Sequence, residues 1–82
     1  MKKVNKEQRN FIRQLHYRNE DFFDRGLIKY EEYISNNYHL LRQVRFATLS
    51  DEQRLILVES ISLEANLQKF RLGIKIAQLG FN

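Results

Sequence analysis

The chain has 82 residues, a net charge of +4 and 43% hydrophobic content, enough for one domain and no more. It contains no cysteine, which excludes disulfides and thiolate metal sites. The mild excess of base suits an acidic partner or plain solubility and does not single out nucleic acid.

A domain of this size buries only about 60% of the surface its unfolded chain exposes. Without disulfides, helix association or self-assembly is the expected support. The longest apolar run, Leu55 to Val58, falls far short of the roughly 20 residues a membrane span needs. "MKKVNKEQRN" has no apolar segment behind it, so neither a signal peptide nor a span is expected. Absence of cysteine fits a reducing cytoplasm. Proline is absent and glycine scarce, which favours long helices in one unit.

The first helix is predicted to start after Asn5, a good N-cap with Gln8 at the capping-box position. Phe11, Ile12, Leu15, Phe22 and Phe23 fall within one arc at about 100° per residue and are the expected core face. Lys2, Lys6, Arg9 and Arg13 are expected on the opposite side. The helix should end near Arg25, because Gly26 can take the left-handed conformation that closes a helix, with Leu27 and Ile28 packing into the corner. Asp21 and Asp24 sit poorly at a helix C-terminus, partly offset by Arg18 and Arg25.

The second helix is expected from about Lys29 to Phe46. Tyr30, Ile34, Leu41 and Val44 make its apolar stripe, flanked by Tyr33 and Leu40. Glu31 and Glu32 suit its first turn, and Arg42 and Arg45 its last. Asn36 and Asn37 are weak helix formers, and a local irregularity is expected there.

"TLSDEQRLILVE" restarts the chain, with Ser50 as N-cap, Gln53 at the capping-box position, and Asp51 and Glu52 in the first turn. The third helical region runs from Asp51 to about Leu79, with Gly80 as its stop. Leu57, Val58, Ile61, Ala65, Leu72 and Ile76 form one apolar stripe. Leu63, Leu67, Phe70, Ile74 and Ala77 form another. A helix apolar on two sides is buried on two sides, so a second subunit or another protein is a natural cover. A break near Ser60 and Ser62 would give four helices instead of three. The expected architecture is an all-α bundle of three to four helices, monomeric or dimeric, with an N-terminal antiparallel hairpin and the last helix packed across it.

Little in the residues points to catalysis. His16 and His39 are the only histidines. Neither lies in a His-Glu-x-x-His pattern or beside a triad partner, and both are expected at the surface or its boundary. Glu20, Asp21 and Asp24 lack the ligand spacing of a calcium loop and read as a solvated helix end. No glycine-rich phosphate loop exists. An enzyme is the least favoured class, with no catalytic residue, metal or cofactor assigned.

Three surfaces remain. Lys6, Arg9 and Arg13 form a basic face able to meet phosphate, lipid headgroups or acidic protein, although any surface helix shows such a face. On the outer side of the second helix, Tyr38, His39, Arg42, Arg45 and Phe46 combine the aromatics and arginine enriched at interface hot spots. The same types stack on single-stranded bases, and the alternative is that the third helix simply covers them. Leu63, Leu67, Phe70 and Ile74 are either core or an oligomer or partner groove.

From "MKKVNKEQRNF" through "FFDRGLIKYEEYISNNYHLLRQVRFATLSDEQR" to the carboxyl end, the chain resembles the lysis-inhibition accessory proteins of T-even-type phages, products of the third rapid-lysis locus. The resemblance implies a cytoplasmic antiholin at the inner face of the host inner membrane. Such a protein binds the holin's cytoplasmic amino-terminal segment and helps to delay lysis. It carries no binding motif over to individual residues. A small basic nucleic-acid-binding regulator and a structural homo-oligomer stand as the alternatives.

Overall fold

The computed structural model describes residues 6–80. Asn5 and Lys2, expected as N-cap and as part of the basic face, lie outside them. Three helices follow in order, α1 (Lys6–Asp24), α2 (Tyr30–Phe46) and α3 (Asp51–Gly80), with no strand among the described residues.

The α1–α2 corner is closed as its glycine predicts. Gly26 has φ 73°, its N–H donates to Phe23 O at 3.0 Å, and the Leu27 N–H donates to Phe22 O at 2.8 Å. These two bonds form a Schellman motif, which satisfies carbonyls that the helix end leaves open. Ile28 is half-buried there, whereas Leu27 stays exposed and contributes through its backbone. Lys29 is the N-cap of α2, and its N–H donates to the Glu32 carboxylate at 3.2 Å. α2 runs unbroken through Asn36 and Asn37, so the expected irregularity is absent.

Ser50 caps α3 as expected, its Oγ accepting the Gln53 N–H at 3.2 Å. α3 is one helix of 30 residues, with no break at Ser60 or Ser62, and it extends through Gly80, the last described residue. The link between α2 and α3 is held from both sides. The Thr48 N–H donates to Gln8 Oε1 on α1 at 2.8 Å. The Arg54 guanidinium reaches back from α3 to the carbonyls of Val44, Arg45 (2.9 Å), Ala47 (3.2 Å) and Leu49 (3.4 Å). A planar fork of donors suits this cluster of open carbonyls, and its charge suits the negative end of α2.

Ile12, Leu40, Val44, Leu57 and Ile61 form the buried core, with Leu15, Leu41, Ala47, Leu49 and Val58 around it. Topology is up–down–up, so α3 runs parallel to α1. At 30 residues α3 is about 45 Å long, against about 28 Å for α1. Its last turns therefore project past the Gly26 corner, and every residue from 73 to 80 is exposed. The result is an elongated bundle of 59 × 21 × 14 Å.

α1 is rotated relative to its hydrophobic arc. Its buried residues are Ile12, His16 and Asn19, whereas Phe11 is 58% and Phe22 36% exposed. Periodicity alone put both phenylalanines inside and His16 at the surface. The physical reason for the difference is a polar junction where the three helices meet. Asn19 Nδ2 donates to Tyr33 O at 3.2 Å and to Asn37 Oδ1 at 3.0 Å, and Asn36 Nδ2 donates to Asn19 Oδ1 at 2.8 Å. The Tyr33 hydroxyl donates to Glu20 Oε1. Gln68 on α3 donates to Asp24 Oδ1 at 2.7 Å and to Glu20 Oε2 at 3.5 Å. Buried polar groups that find partners in this way are tolerated inside. Glu20 and Asp24 are thus ties between helices rather than a freely solvated helix end. Asp21 matches that expectation, exposed and paired with Arg25 at 3.3 Å.

Candidate interaction surface

The side of α2 that faces away from the core carries the five residues singled out in the sequence. Tyr38 is 70% and Phe46 73% exposed, and His39, Arg42 and Arg45 are exposed with them. α3 does not cover these side chains, and the α2 residues that enter the core cluster are Leu40, Leu41 and Val44. The Arg45 guanidinium lies 5.7 Å from the centroid of the Phe46 ring, a cation–π distance that holds the two side chains together at the surface.

Beside this face runs a groove between α1 and α2, which sequence reasoning missed. Its volume is about 300 Å³, with Leu15, Phe22 and Leu40 as apolar lining and Arg18, His39 and Gln43 as polar lining. A second depression of about 270 Å³ shares Gln43 and adds Phe11, Ile12 and Phe46. The α1 contribution, Phe11, Leu15, Arg18 and Phe22, recurs at spacings of 4, 3 and 4, the spacing of a helical seam. Turning α1 to bury His16 and Asn19 is what delivers the two phenylalanines to this groove. The signal was present as a second helical spacing within α1, displaced from the Ile12–His16–Asn19 line.

Chemically, the surface offers an apolar trough, aromatic side chains at its edge, and arginines on both helices. An amphipathic helix with acidic flanks matches it in the helix-in-groove mode. Arginine and aromatic side chains are also the groups that carry most binding energy when desolvated.

The other two surfaces behave differently. Lys6, Arg9 and Arg13 do not form a free cationic stripe opposite the core. Arg9 is half-buried with its Nε sequestered and unpartnered, and Arg13 folds over Tyr17, donating to its hydroxyl at 3.2 Å. This side of α1 flanks the buried line of Ile12 and His16, which explains why Arg9 is drawn inward. Leu63, Leu67, Phe70 and Ile74 all lie exposed on α3, on a separate side from its buried line of Leu57, Ile61 and Gln68. Ile76, expected with the buried stripe, is exposed because α3 has left the bundle by that point.

Titration shifts fall on two members of the polar junction, Glu20 and Tyr33, and on the buried His16. Desolvation lowers the His16 imidazole below 6.5, with the Glu64 carboxylate opposing it, and His16 Nδ1 has no partner. Desolvation raises the Glu20 carboxyl above 4.5, against the hydrogen bonds from Tyr33 and Gln68. The Tyr33 phenol is raised by burial and by Glu20. None of the three lines the α1–α2 groove, although Asn19 and Asn36 of the same junction do, and all three sit within the packing of the bundle. Among the described residues no group of three or more His, Asp or Glu side chains could hold a metal ion, and no helix is long and apolar enough to cross a membrane.

Comparison with protein-family models, with curated proteins and with solved structures gives no match to this chain.

Proposed function

We propose that the chain is a non-enzymatic regulatory binding protein, a cytoplasmic antiholin that takes the amino-terminal segment of a phage holin on the outer side of α2 and so delays lysis. The observation that carries the binding role is the uncovered set of Tyr38, Arg42, Arg45 and Phe46 beside the α1–α2 groove. The holin as partner rests on the resemblance to lysis-inhibition accessory proteins. The mechanism is a population shift. A binder that prefers the unassembled holin holds it there, and equal affinity for both states would shift nothing. Positive charge on the binder also favours residence beside an anionic inner leaflet.

The test is titration of the purified chain with the holin's soluble amino-terminal segment, read by calorimetry or fluorescence anisotropy. Saturable binding at tens of micromolar or tighter is the expected result. No binding in that range, with both partners folded, would falsify direct contact. Binding to generic DNA or RNA that falls steeply with salt, in place of the holin segment, would reassign the arginine–aromatic face to nucleic acid.

A further inference from the structure

The outer face of α3 carries an unbroken helical seam. Ile56, Ser60, Leu63, Leu67, Phe70, Ile74 and Ala77 follow at spacings of 4, 3, 4, 3, 4 and 3, the alternation of a coiled-coil a/d stripe. Every one of them is exposed, with Leu63 at 60% and Phe70 at 67%. Leu57, Ile61 and Gln68, on a separate side of α3 about 130° round the helix, are committed to the bundle, which leaves the seam uncovered among the described residues.

We infer that this seam pairs with the same seam of a second copy of the chain, antiparallel, about a two-fold axis passing between Gln68 and Lys69. The register follows from size and charge. In it Leu67 meets Phe70 of the second copy, Leu63 meets Ile74, and the one polar position, Ser60, meets the small Ala77, so that large side chains fill the centre and small ones the ends. Antiparallel helices bring flanking e positions opposite each other, here Glu64 on one chain and Arg71 on the other, twice by symmetry. Shifting the pairing by one heptad in either direction sets Arg71 against Arg71 or Glu64 against Glu64. A parallel pair sets Glu59 against Glu64. Of these arrangements only the proposed one gives opposite charges at that position, and like charges across an interface select against the rest.

Gly73 adds a shape feature. It lies at a flanking position of the seam, in a shallow depression with Asn66, Phe70 and Ala77, and a side chain built there would meet nothing. In the proposed register Gly73 falls opposite Asn66 of the second copy, which lets the two backbones approach. The contact is isologous, as a two-fold dimer requires. Six layers of side chains place it at the small end of specific interfaces, so a weak, concentration-dependent dimer is expected. It leaves the α2 face free and holds independently of what that face binds.

The test is sedimentation equilibrium of the full chain from low micromolar to several hundred micromolar, with far-UV circular dichroism alongside. The expected result is a reversible monomer–dimer equilibrium. Leu67→Glu with Phe70→Glu should abolish it while leaving helicity and the Tm of the dilute monomer unchanged, because both side chains are exposed in the monomer. Arg71→Glu, also exposed, should weaken it about tenfold or more by placing Glu opposite Glu64. Spin labels on Glu59→Cys should lie about 29 Å apart along the axis in the dimer, at 1.5 Å rise per residue, whereas a parallel pair brings them side by side. A strict monomer throughout the range, a dimer indifferent to the seam substitutions, or a short label distance overturns the proposal.

Discussion

The hydroxyl of Tyr33 on α2 donates to the carboxylate of Glu20 on α1, and the ring below that hydroxyl stacks on Phe23 with centroids 4.6 Å apart. Tyr33 is fully buried, so one side chain joins an apolar contact to a charge-assisted hydrogen bond. Tyr33→Phe keeps the stacking and leaves the Glu20 carboxylate without its closest donor. We expect a loss of about 1–3 kcal/mol, the cost of a partly buried group left short of a partner, measured by urea denaturation. The same variant should raise the Glu20 pKa further, since the bond it loses favours the ionised form. A carboxyl-resolved NMR titration reads that shift.

His16 sets the acid limb of stability. It is 3% exposed and its imidazole is held below 6.5 by burial. The groups facing it are Tyr17 on α1, whose ring centroid is 5.6 Å away, and Glu64 on α3. A depressed histidine binds its proton more readily in the unfolded chain than in the folded one. Its contribution is therefore fully present above pH 6.5 and is lost as pH falls below that value toward the folded pKa. Glu20 acts in the opposite sense. Its raised pKa means that the folded chain gains stability on acidification through the window just above 4.5. Unfolding midpoints should therefore drop between pH 7 and pH 5.5 and flatten below. His16→Leu should remove the drop, and a drop of unchanged size in that variant would assign it elsewhere.

The corner at Gly26 is a local prediction that the backbone fixes. With φ at 73° and nothing within 4 Å of an added Cβ, the whole cost of a side chain there is conformational. Gly26→Val should lose about 1–2 kcal/mol, or roughly 5–10 °C in Tm for a domain of this size. Gly26→Asn should lose less, because Asn tolerates the left-handed region. Equal melting temperatures across the three proteins would remove the corner from the list of structural constraints.

The contrast between Gly26 and His16 shows where the sequence is legible. Gly26, Ser50 and the three helices declare themselves through neighbours a few residues away, and each stands where local chemistry placed it. The facing of α1 does not declare itself. Periodicity weighs apolar side chains one at a time, and Phe11 and Phe22 outweigh His16 and Asn19 on that scale. What reverses the order is a network assembled from Asn19 and Glu20, Tyr33, Asn36 and Asn37, and Gln68, which come from three separate stretches of chain. The α1–α2 groove was hidden for the same reason, being the consequence of that rotation. The two-faced apolar pattern of α3 is legible in the sequence, and its outer stripe lies exposed.

Arg54 lies in the first turn of α3, and its guanidinium gathers four carbonyls at and just beyond the end of α2. Arg54→Met keeps the apolar stem and removes the donors. We expect a loss of about 1.5–3 kcal/mol, the range for hydrogen bonds to a charged group. Arg54→Lys should recover only part of it, because a single ammonium cannot span the spread of acceptors. Hydrogen exchange should locate the effect at the amides of α2's last turn and of residues 47–49. Protection there equal to that of the parent protein would mean that α2 ends without help from α3.

The outer face of α2 can be tested without disturbing the fold, since Phe46, Arg42 and Tyr38 contribute nothing to the buried core. If the proposed holin segment binds there, Phe46→Ala should weaken that binding by about 30-fold, the effect of an aromatic hot spot of ~2 kcal/mol. Arg42→Glu reverses a charge at an exposed position. It should act mainly on the association rate, and its penalty should shrink as salt rises from 50 to 500 mM. The two substitutions therefore separate apolar docking from steering, because the Phe46 effect should persist at high salt and the Arg42 effect should not. Neither should move Tm by more than about 2–4 °C, because surface substitutions of this kind stay within about 0.5 kcal/mol. Leu67→Glu with Phe70→Glu, on α3, serves as the control and should leave binding to the segment intact. If that pair abolishes binding and the α2 substitutions do not, the partner sits on α3 and the face of α2 is ordinary surface.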